Sequence, residues 1–130
     1  EASRFVSDLD GDLIELVKGN AEELPFEENS LQGISCVYLF HELPRPIREN
    51  VLKEFFRVLE PGGTLVLADS IQVDDSPDFI QIMENFHKSF HEPFYSDYIK
   101  EDINSRIRAT GFNNIECNSF FMTKVWSAVK

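Results

Sequence analysis

Apolar residues along this chain fall into short unbroken runs separated by stretches of helical period. Residues 33–40, GISCVYLF, are almost continuously apolar. A run without alternation predicts a strand buried on both faces, as in a parallel sheet. Residues 64–68 predict a second, shorter buried strand, and the loosely alternating residues 13–18 a further one. Residues 19–30 are polar, with Pro25 and Asn29, and predict a loop. Between the runs the period changes. Ile47, Val51, Phe55 and Leu59, with Leu52 and Val58 beside them, predict a helix over residues 46–59. Glu60-Pro61-Gly62-Gly63 stops it. Ser76 as N-cap and Pro77 as first helical residue open the next helix. Its apolar stripe is Phe79, Ile82, Met83, Phe86 and Phe90. After Pro93, Ile99, Ile103 and Ile107 mark one further helix, closed at Gly111 by a left-handed cap. Residues 114–130 predict an antiparallel hairpin turning at residues 120–122. Residues 1–10 read as the end of a helix already under way, so the natural chain is expected to extend upstream.

Strands alternating with helices predict an α/β fold with a largely parallel sheet. At 130 residues this is one domain. Composition adds exclusions. A net charge of -11 repels a phosphate backbone, so nucleic acid is not the expected partner, and anionic membrane surfaces are disfavoured for the same reason. No apolar run reaches 18 residues, so no membrane span is expected. Cys36 and Cys117 each sit in an apolar, strand-like run and read as reduced core thiols, which makes the cytoplasm the default location.

Three segments carry a resemblance: residues 14–26 (IELVKGNAEELPF), 34–43 (ISCVYLFHEL) and 55–69 (FFRVLEPGGTLVLAD). In this order and spacing they resemble class I S-adenosylmethionine (SAM)-dependent methyltransferases, the Rossmann-like group that includes the ubiquinone and menaquinone biosynthesis enzymes. The tail, TGFNNIECNSF then FMTKVWSAVK, is similar to the closing hairpin of that fold. The resemblance covers essentially the whole chain. It implies a Rossmann-like methyltransferase fold, a mostly parallel sheet with an antiparallel C-terminal hairpin, and SAM as methyl donor to a small-molecule acceptor.

The resemblance also implies site residues. In such folds ligands lie beyond the carboxyl ends of the parallel strands. Asn20 would accept a hydrogen bond from the adenine amino group, and the Ala21 N–H would donate to a ring nitrogen, with Glu22 beside them. Family members more often carry Asp where Asn20 stands. On its own residues, without the resemblance, Asn20 reads as an Asx-turn. Tyr38, Leu39 and Phe40 would line the methionine end and the reacting methyl; the other reading puts Leu39 and Phe40 in the core. His41 or His91 would serve as base for the acceptor, with Glu42 and Asp69 as weaker candidates. His41 also reads as a solvated loop residue, and Asp69 as a solvated strand-end carboxylate. Leu31-Gln32 stand where the family usually has Phe-Asp. The Glu60–Gly63 turn defines the fold and has no catalytic role.

His87 and His91 lie four apart on one helix with Glu84 a turn earlier, a spacing that can hold zinc. No third strong ligand is fixed, so no metal site is assigned. The aromatics Phe86, Phe90, Phe94 and Tyr95 read either as core or as a cover for a planar acceptor.

The family's glycine-rich turn, E/D-x-G-x-G-x-G, and the acidic residue of its second strand are not found in the sequence. The chain is therefore expected to be the C-terminal part of one methyltransferase domain, lacking its first two strands. By the family's topology those strands would separate the strand at residues 13–18 from that at residues 33–40. The gap predicts an exposed strand edge and self-association or strand exchange. Two functions stay open: an enzyme of which this piece is an inactive fragment, or a non-catalytic relative acting through association.

Overall fold

The computed structural model describes residues 14–90 and 92–130, with side chains throughout except at residues 86–90. The helix end expected over residues 1–10 lies outside them. Among the described residues the strands are β1 (Leu31–Val37), β2 (Leu59–Ser70), β3 (Asn113–Phe120) and β4 (Thr123–Val129). They form one sheet in the order β1-β2-β4-β3. β1 and β2 are parallel, while β2 with β4 and β4 with β3 are antiparallel. The helices are α1 (Arg45–Val58), α2 (Ile80–Phe90), α3 (Tyr95–Tyr98) and α4 (Ile103–Thr110), with 3-10 turns at Phe40–Glu42 and Pro77–Phe79. The α/β class expected from the sequence is the class observed.

α1 is the crossover that makes β1 and β2 parallel. Pro46 lies in its first turn, where a missing N–H breaks no helical bond. Val51, Leu52, Phe55 and Val58 are its buried stripe. Val51, Leu52 and Phe55 meet Leu65 and Leu67 of β2 and Trp126 of β4 in one core, joined by Ile103 and Ile107 of α4. Ile34 and Cys36 pair with Leu65 and Leu67, so they point to the same face. Arg48 is also buried, and its Nε lies 2.8 Å from Glu101 Oε2. That pair ties α1 to the segment between α3 and α4.

β2 is longer than the five residues expected. It leaves α1 directly at Leu59, and a register shift absorbs the glycine turn, with Leu31 opposite Leu59 and Gly33 opposite Thr64. A side chain at Gly63 would stand 2.9 Å from Glu60 O and 3.2 Å from Gln32 O, so only glycine fits there.

Cys117, expected in the core, is exposed on β3, an outer strand of the sheet among the described residues. Four further expectations need correction. Residues 14–18 form no strand; Ile14, Leu16 and Val17 are exposed, and no neighbouring strand among the described residues offers them a ladder. β1 is an edge strand, with Gln32, Gly33, Ser35 and Val37 exposed, because only β2 pairs with it among the described residues. The helix expected after Pro93 is two helices. Asp102 starts the second by accepting from Ser105 N at 2.9 Å, an N-cap that interrupts the stripe before Ile103. Ser76 precedes a 3-10 turn and makes no side-chain cap. Gly111 does close α4 with a positive φ of 120°, and the hairpin turns where expected.

Candidate active site

β1 and β2 run parallel, so their carboxyl ends open on one side of the sheet. The Tyr38 N–H donates to Ala68 O at 2.8 Å and extends the ladder by one residue. Tyr38 then takes a positive φ of 50° and turns the chain off the sheet into the 3-10 turn. A non-glycine residue in that region is strained, and such strain concentrates at functional sites. The turn lays His41 over the last residues of β2.

Asp69 lies there with no exposed surface. Its Oδ2 accepts the Phe40 N–H at 2.8 Å and its Oδ1 the Ser70 N–H at 2.7 Å. Oδ1 is also 2.6 Å from His41 Nδ1. The expectation of a solvated Asp69 is thereby overturned: a chain turning over the strand end seals it. His41 is buried as well, not a solvated loop residue. Its proton affinity is raised, first by the hydrogen bond to Asp69 and then by the charges of Asp69, Glu92 and Glu42, against an opposing effect of burial. On the far side of the ring Nε2 lies 3.6 Å from Glu92 Oε2 and 4.0 Å from Glu42 Oε1.

Three tyrosines wall the imidazole. The rings of Tyr38, Tyr95 and Tyr98 stand edge-on to it at centroid distances of 6.2, 6.0 and 6.3 Å. The Tyr98 hydroxyl donates to Ser70 O at 2.7 Å, and the Tyr95 hydroxyl is 2.8 Å from Ser70 Oγ. Burial raises both phenols. Tyr38 is hydrogen-bonded through its hydroxyl to Thr123 Oγ1, which links the strand end to the hairpin.

A groove of about 550 Å³ runs along the free edge of β1, lined by Leu24, Phe26, Ile34, Val37, Tyr38 and Leu39 among others. Tyr38 and Leu39 thus stand on an open wall. Phe40 does not. It is fully buried in the core, because the 3-10 turn folds it inward beneath His41. Cys36 also borders the groove, with a thiol pushed up to about 12, mainly by burial and also by Asp69's charge, and so unreactive.

Asn20, Ala21 and Glu22 form a separate turn. Asn20 Oδ1 accepts the Glu22 N–H at 3.1 Å, which is the Asx-turn reading. Glu22 is an anchor: its Oε2 accepts from Asn50 Nδ2 at 2.9 Å, while Leu24 N donates to Glu54 Oε1 at 2.8 Å. The Ala21 N–H has no hydrogen-bond partner among the described residues. That free donor, beside a carbonyl oxygen with a second lone pair, fits an adenine edge, and the apolar Tyr38–Leu39 wall fits an aliphatic chain. His91 lies outside the described residues. Glu92 was not assigned to the site from the sequence, whereas Tyr95 reads there either as core or as a cover for a planar acceptor. Only its place two positions before the aromatic pair Phe94-Tyr95 hinted at Glu92.

A sheet whose polar machinery sits at the carboxyl ends of two parallel strands defines a Rossmann-like ligand-handling domain. Its relatives agree. The family model described as "Methyltransferase domain" matches residues 2–67, just over half of the chain. The demethylmenaquinone methyltransferase of Listeria monocytogenes (serotype 4a) is 39% identical over 67 residues, 52% of this chain and 27% of that protein. That of Oceanobacillus iheyensis is 40% identical over 71 residues, 55% of this chain and 29% of that protein. A SAM-dependent methyltransferase structure from Aquifex aeolicus superposes with a TM-score of 0.67 at 19% identity, covering 98% of this chain and 61% of that one. The chain belongs to the methyltransferase domain family. It spans less than a third of the curated relatives' length in these two alignments.

Proposed function

We propose that the protein transfers a methyl group from SAM to a small-molecule acceptor, and that this 130-residue piece by itself is inactive. One observation carries the reading: His41, buried, stands at the strand ends with its proton affinity raised. Family membership supports the donor, since the methyltransferase family model and relatives named for methyl transfer each match about half of the chain.

When bound, SAM supplies an electrophilic methyl on a positively charged sulfur. Asn20 Oδ1 and the Ala21 N–H would hold its adenine, and Tyr38 and Leu39 would form the apolar wall beside its methionine end. Phe40 supports that wall from the core and does not touch the ligand. His41 takes the acceptor's proton, which raises the acceptor's nucleophilicity at the point of transfer. The charge on sulfur disappears in the reaction, so the dry aromatic walls do not oppose it. Glu92 and Glu42 narrow the approach to His41. A base at Nε2 must first be neutral, so methyl transfer is expected to rise with pH as the imidazolium loses its proton.

The open edge of β1 favours a second reading, in which the protein acts through association. Val37 is 59% exposed and Tyr38 46% exposed at that edge. An unpaired apolar edge recruits another strand. We place either activity in the cytoplasm, on the reduced cysteines. No helix among the described residues is long and apolar enough to cross a membrane.

Calorimetric titration of S-adenosylhomocysteine into this chain, and into the protein at its natural length, separates the readings. Binding by the longer protein alone is the expected result. Absence of binding in both would overturn the methyltransferase reading in favour of association.

A further inference from the structure

A base needs one imidazole nitrogen kept as a lone pair, and the surroundings of His41 decide which. Asp69 arises from β2, Glu42 from the 3-10 turn, Glu92 from the segment before α3, and Tyr38, Tyr95 and Tyr98 from the strand end and α3. On the Nδ1 side stands a carboxylate whose oxygens already accept the Phe40 and Ser70 N–H groups. An ionised carboxylate offers only acceptors. At 2.6 Å the remaining contact is therefore a donation from Nδ1–H to Asp69 Oδ1. On the other side, 3.6 Å to Glu92 is too long for a hydrogen bond, so Nε2 is untied.

We propose that Asp69 is a positioning residue: it fixes His41 with its proton on Nδ1 and presents the Nε2 lone pair to the methyl acceptor. The anchorage suits that task. Asp69 is bonded to the backbone of its own strand's next residue and of the turn that carries His41, so ring and carboxylate move as one unit. The acceptor's X–H bond breaks and its proton goes to Nε2. The lone pair left on X forms the new X–C bond, and the pair of the broken C–S bond stays on the donor sulfur. The imidazolium then returns its proton to water. This suits acceptors with an ionisable N–H, O–H or S–H. The catalytic half of the inference rests on the methyltransferase reading; the tautomer does not.

The test is nitrogen-15 spectroscopy of the His41 ring in the full-length protein, above its titration, alongside methyl-transfer kinetics. The wild type is expected to show Nδ1–H. In Asp69→Asn the amide donates to Nδ1, so the proton moves to Nε2 and kcat falls by about 10²–10⁴ with little change in KM. Glu92→Gln should leave the tautomer unchanged and lower the titration point of His41. If Asp69→Asn does not fold, the wild-type and Glu92→Gln spectra still decide. Nε2–H in the wild type, an unmoved tautomer in a folded Asp69→Asn, or kcat within about twofold of wild type would overturn the proposal. Should the wild type bind no SAM, the methyltransferase reading falls, and the spectra alone judge Asp69.

Discussion

β1 has two contrasting sides. At its carboxyl end the chain closes on itself: Tyr38 extends the ladder, the 3-10 turn tucks Phe40 into the core, and Asp69 is sealed under His41. Along its other edge no described residue closes the ladder. Ser35 and Val37 face solvent, and an apolar groove of about 550 Å³ follows the strand. The strand-end node is over-determined by hydrogen bonds from several elements. The edge has backbone groups and apolar surface with no partner among the described residues. Chemistry requires the first kind of site, because a catalytic ring must hold its place against thermal motion. The second kind is a surface for something to bind.

The largest expected effect falls on the node. His41→Gln removes the base and should lower kcat of the full-length protein by about 10²–10⁴, with circular dichroism unchanged. A fall of less than about tenfold would show that the node supports the fold alone. Next comes the core beneath it. Leu67 is fully buried between α1 and the sheet, and Leu67→Ala should cost about 2–5 kcal/mol in urea unfolding. Val37→Ala, beside Tyr38 on the open edge, should cost less than about 0.5 kcal/mol. Similar losses at both positions would mean that the edge is covered in solution.

The pH dependence of stability sharpens the contrast further. The folded state raises the proton affinity of His41, chiefly through Asp69. Its stabilising contribution is thus fully present below the unfolded value of 6.5 and is lost as pH rises through the folded value. Unfolding curves across that window should show a decline that His41→Gln removes. Glu54 acts in the opposite sense. Arg57 and the Leu24 N–H hold its carboxyl below its usual 4.5, so its contribution is lost as pH falls through that lowered value. A slope near neutrality that survives His41→Gln would assign the effect elsewhere.

Much of this contrast was hidden in the sequence. α1 and the hairpin were legible because their periods are long and regular, and Gly111 because only glycine suits its positive φ. The exposure of β1 was not. GISCVYLF reads as a doubly buried strand, but burial depends on neighbours that the run does not encode. The same blindness predicts a strand over residues 13–18. At the site, His41 and Tyr38 were legible only through the resemblance. Asp69 was named, yet judged solvated, because an acidic residue ending an apolar run gives no sign that the chain will fold over it. Phe40 failed in the reverse sense: a single residue's direction after a strand depends on the φ of Tyr38, which its sequence does not announce.

The smallest expected effect on stability tests the edge itself. Ser35 is exposed on β1 and makes no side-chain hydrogen bond among the described residues. Ser35→Lys should change unfolding by less than about 0.5 kcal/mol, since nothing packs on the side chain. Its effect on association should be large by comparison. Two copies meeting edge to edge would set charges close together across the new ladder, and a lysine on an exposed strand is a device that natural sheets use against such pairing. Sedimentation across a concentration series would read it. A wild-type chain that associates, and a Ser35→Lys variant that stays monomeric at the same concentration, would locate the contact at β1. A wild type that stays monomeric throughout would mean that the apolar groove does not recruit a second copy. Association unaffected by the lysine would move the interface to another apolar surface, with Phe120 and Phe121 at the hairpin turn, 63% and 83% exposed, the next position to change.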